Sequence, residues 1–374
     1  MSRCCIPLVA VVSMLATLLF PGIVHSFHEG GEKYCQGCHI IHGSASAPDP
    51  GTNENSIATP PEVRLIGSDP SSTCLRCHAV KSEACIVLSD DGSWFTPGGD
   101  FYWLRKTFGW HDGGRYMQSE ADRHGHNIVA VDYDLSQDRN RSTSPGGSYP
   151  AADLGCDSCH DPHGKTNNNA AVTGAPSVSG PYGDEPGGVT GTYRLLAGAG
   201  YRRGRRGSGH TFTYGAPIAV ASSTSWVESD ANHTAYGSDL SQWCGNCHVD
   251  FLGSHAIEGR KNHPVGKDAL LSAEIAGNYN AYVRSGDFRG TQASAYLSLV
   301  PFETGITNTL VLNPYSSAGP DRSANVMCLT CHRAHASAFE NIGRWDFRAR
   351  LIADAHPRGG DAGVTGNDVL NSFY

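Results

Sequence analysis

Apolar side chains are scarce in this 374-residue sequence, at 39% of all residues. Glycine (45) and proline (20) together take about 17% of the positions, against an ordinary share of about 12%. Such a chain lacks the material for one or two conventional cores, so loops should dominate and something other than side chains must fill the interior. Long apolar runs are missing too. A membrane-spanning helix needs about 18 or more uninterrupted apolar residues, and the most apolar stretch, residues 6–20, is shorter and is followed at once by Pro21 and Gly22. No low-complexity linker and no block of like charge marks a domain boundary. A basic excess is also absent: 28 Lys and Arg face 36 Asp and Glu, a net charge of −8. That balance argues against nucleic acid as a partner.

The N-terminus reads as an export signal. Arg3 precedes the apolar run, and Val24 and Ser26 supply small residues at −3 and −1 of a cleavage site. Residues 1–26 are therefore expected to be removed, leaving a mature chain from Phe27 with a formal charge of −9 once Arg3 is gone. Cys4 and Cys5 stand before the apolar run rather than after it, so they do not resemble a lipid-attachment site.

Cysteine supplies what the composition lacks. Of 13 cysteines, 11 remain in the mature chain, and ten fall in five C-x-x-C pairs. These are Cys35/Cys38, Cys74/Cys77, Cys156/Cys159, Cys244/Cys247 and Cys328/Cys331, followed immediately by His39, His78, His160, His248 and His332. Two thiols at this spacing reach the two vinyl groups of one porphyrin, and the next imidazole swings under the iron. Zinc knuckles, disulfides and thioredoxin-like motifs also use C-x-x-C. None of them requires the histidine, and five accidental histidines have a probability on the order of 10⁻⁷ at this histidine content, so haem attachment is preferred. Five covalently attached haems c are expected, with these ten cysteines as attachment points and these five histidines as proximal iron ligands.

Twelve further mature histidines are available as second axial ligands. His42, His163 and His335 each lie three residues after a proximal histidine. So short a tether keeps each on the proximal side of its own porphyrin, so each should serve a different haem, as closely packed haems would allow. His28, His126, His255 and His263 are further distal candidates, whereas His111, His124, His210, His233 and His356 read as surface or packing residues. All five motifs keep histidine, which ranks a multihaem reductase with an open iron last. Arg202, Arg203, Arg205 and Arg206 form a basic cluster that reads either as a solvated loop or as a site for propionates or a partner.

The expected architecture is one loop-rich multihaem cytochrome domain over residues 27–374, mostly irregular, with short helices and a few short strands wrapped around a haem stack. Strand-like runs occur at 101–110 and 127–134, helical ones at 269–282 and 292–299, and residues 164–192 read as a long surface loop.

Several stretches go beyond a bare haem motif. They include Phe27-His28-Glu29-Gly30-Gly31 leading into Cys38-His39-Ile40-Ile41-His42, Thr96-Pro97-Gly98-Gly99-Asp100-Phe101, Gly125-His126-Asn127-Ile128-Val129-Ala130, and the segments 156–164, 290–299 and 328–336. Through these the chain resembles the outer-surface multihaem c-type cytochromes of the nanowire type, hexahaem members above all, over nearly the whole mature length. The resemblance implies an unbranched stack of bis-histidine low-spin haems, electron transfer rather than enzymatic turnover, and an extracellular or cell-surface location. Identical subunits would join head to tail in a conductive filament, His42 donating to the haem on His332 of a neighbour, an interface that propagates rather than closes. Upstream outer-membrane or periplasmic cytochromes would supply electrons, and metal oxides or electrodes would accept them. A discrete periplasmic or surface carrier is the alternative.

Two departures stand out. The hexahaem relatives carry a sixth C-x-x-C-H motif near the C-terminus, whereas this sequence reaches Tyr374, 42 residues past His332, without one. A truncated sequence, a different subunit junction or the absence of a polymer would each account for that. Cys85 stands where the family has a histidine. It reads either as a thiolate ligand replacing a distal histidine or as a small buried thiol.

Overall fold

The computed structural model describes residues 37–40, 64–79, 86–162, 193–203, 209–222, 227–252 and 263–373. Regular structure within them is sparse. Six short strands form three antiparallel two-stranded sheets: β1 (His39–Ile40) with β2 (Arg64–Leu65), β3 (Phe108–Asp112) with β4 (Arg115–Ser119), and β5 (Ile218–Val220) with β6 (Ala235–Ser238). The helices are α1 (Pro70–His78), α2 (Leu240–Cys244), α3 (Ala273–Asn278), α4 (Cys328–Cys331) and α5 (Gly366–Asn371), interspersed with single 3₁₀ turns. The fold is loop-rich, as the glycine and proline content requires. No helix among the described residues is long and apolar enough to cross a membrane.

Buried apolar side chains form separate small clusters. One gathers Leu75, Leu88, Phe101, Trp103, Ile128 and Phe339; a second holds Tyr193, Leu196, Tyr236, Leu240 and Met327; a third holds Leu271, Tyr279, Tyr296 and Phe302. The first includes Leu75 and packs against Cys156, and the second packs against Leu329, so both adjoin C-x-x-C-H segments.

The expected elements needed correction. Residues 101–105 form a 3₁₀ turn, and only the end of the strand-like run enters β3. Asp100 is the reason: its carboxylate accepts from the backbone N–H groups of Tyr102 and Ser89 and from the Ser89 hydroxyl, which caps a turn at that point. The run at 127–134 holds no strand. It contains a 3₁₀ turn at Val131–Tyr133 closed by Asp134 in the left-handed region (φ 56°). The helix expected at 269–282 starts only at Ala273, where the Ser272 hydroxyl caps Ile275, and passes into a π turn at Tyr279–Val283. At 292–299 only the 3₁₀ turn Gln292–Ser294 forms. Residues 1–26 and the 164–192 stretch lie outside the described residues.

Candidate haem sites

Each fully described C-x-x-C-H segment contains a helical turn that ends at its histidine. The His160, His248 and His332 N–H groups donate to the carbonyls of Cys156, Cys244 and Cys328 at 2.9, 3.0 and 3.0 Å. Cys74, Cys77 and His78 share α1, started by Pro70 and by Asp69, whose carboxylate accepts from Ser72 N–H at 2.7 Å. In the third and fifth motifs the hydroxyl of the residue between the cysteines, Ser158 or Thr330, accepts from the N–H of Gly155 or Met327 at 2.9 and 3.1 Å. The same local device therefore shapes both turns.

The motifs meet in pairs. Cys74 lies beside Cys156, and Cys244 beside Cys328. Serines that sequence reasoning did not single out make both joints. Ser71, three residues before Cys74, accepts from Cys156 N–H at 3.1 Å, and Ser241, three residues before Cys244, accepts from Cys328 N–H at 3.0 Å. The shared spacing was the available signal. Between the pairs, the Ser144 hydroxyl donates to Cys247 O at 2.6 Å, and His248 Nδ1–H to Pro145 O at 2.7 Å.

The decisive geometry is in the histidine rings. His160 lies against His335 with ring centroids 6.3 Å apart, His248 against His126 at 6.0 Å, and His332 against His263 at 6.5 Å. Two imidazoles bound to one metal at about 2 Å each have ring centres about 6.3 Å apart, because a ring centre lies about 1.15 Å behind its nitrogen. The tautomers agree with this use. Nδ1 donates to a backbone carbonyl in His160 (Arg194 O, 2.8 Å), His332 (Asn341 O, 2.8 Å), His126 (Ala334 O, 2.6 Å) and His335 (Gly99 O, 3.2 Å), as in His248. That leaves Nε2 of each as the lone-pair nitrogen. Burial holds the imidazoles neutral, lowering His126 to about 4 and His335 to about 3, and pulling His248 and His332 below the usual range. The residues present fit a haem iron between each pair.

His335 faces the ring of the third motif rather than that of its own neighbour His332. Gly98 makes this approach possible: its carbonyl accepts from the N–H groups of Ala334 and His335 at 2.9 and 2.6 Å, and a Cβ on it would stand 2.8 Å from the His335 ring. His126 N–H donates to His335 O at 2.9 Å, so candidate ligands of two different irons are tied together.

Other histidines are used differently. His124 is buried with Nε2 2.8 Å from the Ser119 hydroxyl and Nδ1 3.1 Å from Trp103 O. His233 faces carbonyls of Thr234 and Ser316 with its two nitrogens and stacks on Tyr296. His210 approaches Asn246 O, His356 pairs with Asp361 and stacks on Trp110, and exposed His111 lies on β3 against Tyr116. Arg203 pairs with Asp157, inside the third motif, at 2.9 Å. Cys35, His28, His42, Cys85, His163, His255, Arg205 and Arg206 lie outside the described residues.

Among the described residues no group of three or more His, Cys, Asp or Glu side chains is placed to hold a metal ion.

No protein-family model matches the chain. Comparison with characterised proteins gives a C-type cytochrome, OmcS of Geobacter sulfurreducens, at 40% identity over 376 residues, covering 92% of this chain and 86% of the relative. The chain belongs to the OmcS family of multihaem c-type cytochromes. Two solved structures agree. The outer membrane cytochrome S filament from Geobacter sulfurreducens superposes with a TM-score of 0.68 at 38% identity, covering 87% of this chain and 86% of that one. A cryo-electron microscopy structure of the OmcS nanowires gives 0.67 at 38% identity, covering 84% of each. Like its relative, this protein carries covalently bound haem c with iron and transfers electrons, and it is not an enzyme. The bound haem supplies reversible one-electron chemistry at iron. The motif cysteines would tether it, and the buried histidines, held neutral, would present Nε2 to it.

Proposed function

We propose that this protein moves electrons outside the cell through five covalently attached, mostly bis-histidine low-spin haems, as a subunit of a cytochrome filament. The observation that carries the reading is the set of three histidine pairs at 6.0–6.5 Å, each joining a motif histidine to one remote in sequence. A closed iron with two imidazoles suits outer-sphere electron transfer and excludes substrate. The ten motif cysteines are the attachment points, and His39, His78, His160, His248 and His332 the proximal ligands. His335, His126 and His263 are the second ligands at the third, fourth and fifth irons. His28, His42, His163 and the speculative Cys85 ligand are left for the first two irons or for a neighbouring chain.

The ring geometry changes one expectation. His263 of the same chain faces His332 at 6.5 Å, which favours it over a neighbour's His42 as the second ligand there. His42 remains the candidate for donation between protomers, to a different iron. The filament itself rests on kinship with a protein whose solved structures are filaments. Export of the mature chain from Phe27 as one cytochrome domain, electron supply from upstream cytochromes and delivery to metal oxides or electrodes complete the proposal.

Intact-mass and pyridine haemochrome measurements on the secreted holoprotein should give five haems per chain, and cryo-electron microscopy should show filaments with haem density running from subunit to subunit. Discrete particles would withdraw the polymer. Fewer than five haems would withdraw the count.

A further inference from the structure

Behind the fifth motif lies a cluster of buried charge that haem attachment does not explain. Arg333 and Arg344 both reach Oε2 of Glu228, at 2.6 and 3.7 Å, and the three side chains are at most 2% exposed. Two guanidiniums thus share one carboxylate in the interior. Burying ions is costly unless each has a use for its partners, and an apolar trio would fill the same space.

Arg344 does more than pair with Glu228. Its Nε donates to Leu329 O at 2.6 Å and to His332 O at 3.3 Å, its Nη1 to Ser298 O at 2.9 Å, and its backbone N–H to Cys331 O at 2.8 Å. Three of those carbonyls belong to the Cys328–His332 segment. The guanidinium is close enough for its charge to act on the His332 imidazole and the Cys331 thiol. Arg333, next in sequence to His332, extends the other way, toward the carbonyls of Thr96 and Pro97, beside the Gly98 turn that holds His335. The hydroxyls of Tyr236 and Tyr296, buried without a hydrogen-bond partner, lie within the field of both Glu228 and Arg344. Oriented hydroxyl dipoles are the only other polar groups these side chains add, and they carry no net charge.

We infer that Arg344, its charge only partly balanced by Glu228, is a positioning residue that raises the reduction potential of the haem carried by Cys328, Cys331 and His332. A ferric haem core with two neutral imidazoles has one net positive charge, and the ferrous core has none. A fixed cation in a low-dielectric interior therefore stabilises the reduced form, and a fixed anion the oxidised form. The same side chain, bonded to three points around the attachment turn, orients the proximal imidazole. This rests on the haem reading above.

The test is a spectroelectrochemical titration of the holoprotein, with electron paramagnetic resonance to follow individual ferric signals. Arg344→Gln should shift one haem component to lower potential, with about a tenfold change in its oxidised-to-reduced ratio, about 59 mV for one electron. Glu228→Gln should shift the same component upward, and Arg344→Lys should restore most of the parent value. A purely structural role would move Arg344→Gln and Glu228→Gln in the same direction, or broaden several components together, and would overturn the inference, as would no movement in either. Should Arg344→Gln fail to fold, the upward shift in Glu228→Gln and the near-parent value in Arg344→Lys decide the matter. Mass analysis of the proteolytic peptide holding Cys328 and Cys331 establishes separately that this haem is attached, so loss of the five-haem count cannot be mistaken for failure of the charge effect.

Discussion

Replacing Gly98 with alanine should open the iron on His160. The new Cβ would stand 2.8 Å from Cε1 and Nδ1 of His335, where carbon needs about 3.5 Å, so the ring has to retreat by about 0.7 Å. The backbone cannot retreat with it, because Gly98 O holds the N–H groups of Ala334 and His335, and His335 O holds His126 N–H at 2.9 Å. Phe101, stacked on the His335 ring at 4.8 Å, blocks one side. Overpacking of this kind costs about 1–3 kcal/mol, or about 5- to 150-fold in the equilibrium between bound and detached imidazole. A metal–nitrogen bond of about 2 Å does not stretch by a third. The assay is carbon monoxide binding to the dithionite-reduced protein, read from the Soret difference spectrum. One additional carbon monoxide per chain is expected over the parent, with a new high-spin signal in the ferric protein. Gly277→Ala, in α3 with nothing within 4 Å of the added atom, is the control and should change neither spectrum. If Gly98→Ala binds no more carbon monoxide than the parent and stays fully low-spin, the placement of His335 on this iron is wrong.

Two neighbouring histidines should behave oppositely. His126→Ala is expected to create a carbon monoxide site at the iron on His248, whereas His124→Ala, which loses contacts to Ser119 and Trp103, should leave the haem spectrum unchanged and cost about 1–3 kcal/mol in guanidinium unfolding. Glu303 gives a pH test. It accepts from Leu240 N–H at the start of α2 and from Asn325 at 2.7 Å, and burial raises it from 4.5 to about 7. A carboxyl raised on folding contributes fully below its unfolded value and loses that contribution as pH climbs to the folded one. Wild-type stability relative to Glu303→Gln should therefore fall by about 3 kcal/mol between pH 4 and pH 8. The ligand histidines titrate alike in both proteins and cancel in the difference, so parallel curves would refute the Glu303 reading.

The cofactor was legible because its chemistry is local. Two thiols and an imidazole must fall within five residues to meet one porphyrin, and nothing about the tertiary fold changes that spacing. The three-residue tether gave the expectation that His335 turns away from its own motif, and its ring lies against that of His160. Its partner could not be read, since the meeting of His335 with His160 depends on a chain crossing 175 residues away in sequence, and likewise for His126 with His248 and His263 with His332. Secondary structure was read least well. Residues 101–110 read as strand-like, but Phe101 and Trp103 are buried from a 3₁₀ turn that Asp100 caps. Apolar periodicity there reports which side chains enter the cluster with Leu75, Leu88 and Ile128, not which hydrogen-bond ladder the backbone joins.

Glycine content shows how one signal can be read at two levels. As composition it announced loops, and the loops are there. Position by position it reports clearance between chain segments that carry ligands. A Cβ at Gly98 would strike the His335 ring, one at Gly125 would stand 2.5 Å from His335 O, and one at Gly147 would collide with Cys247 O inside the fourth motif. Gly125 precedes His126 directly, and the loop holding Gly147 also supplies Pro145 O to His248. At these positions the absent side chain lets a second segment of backbone approach a candidate ligand histidine closely enough to accept its Nδ1–H or to bring a second imidazole opposite it. The main chain itself thus lies against these imidazoles and accepts their Nδ1–H groups. That is why a chain poor in apolar side chains can still bury its ligands, and why alanine at such sites should damage iron ligation before it damages the fold.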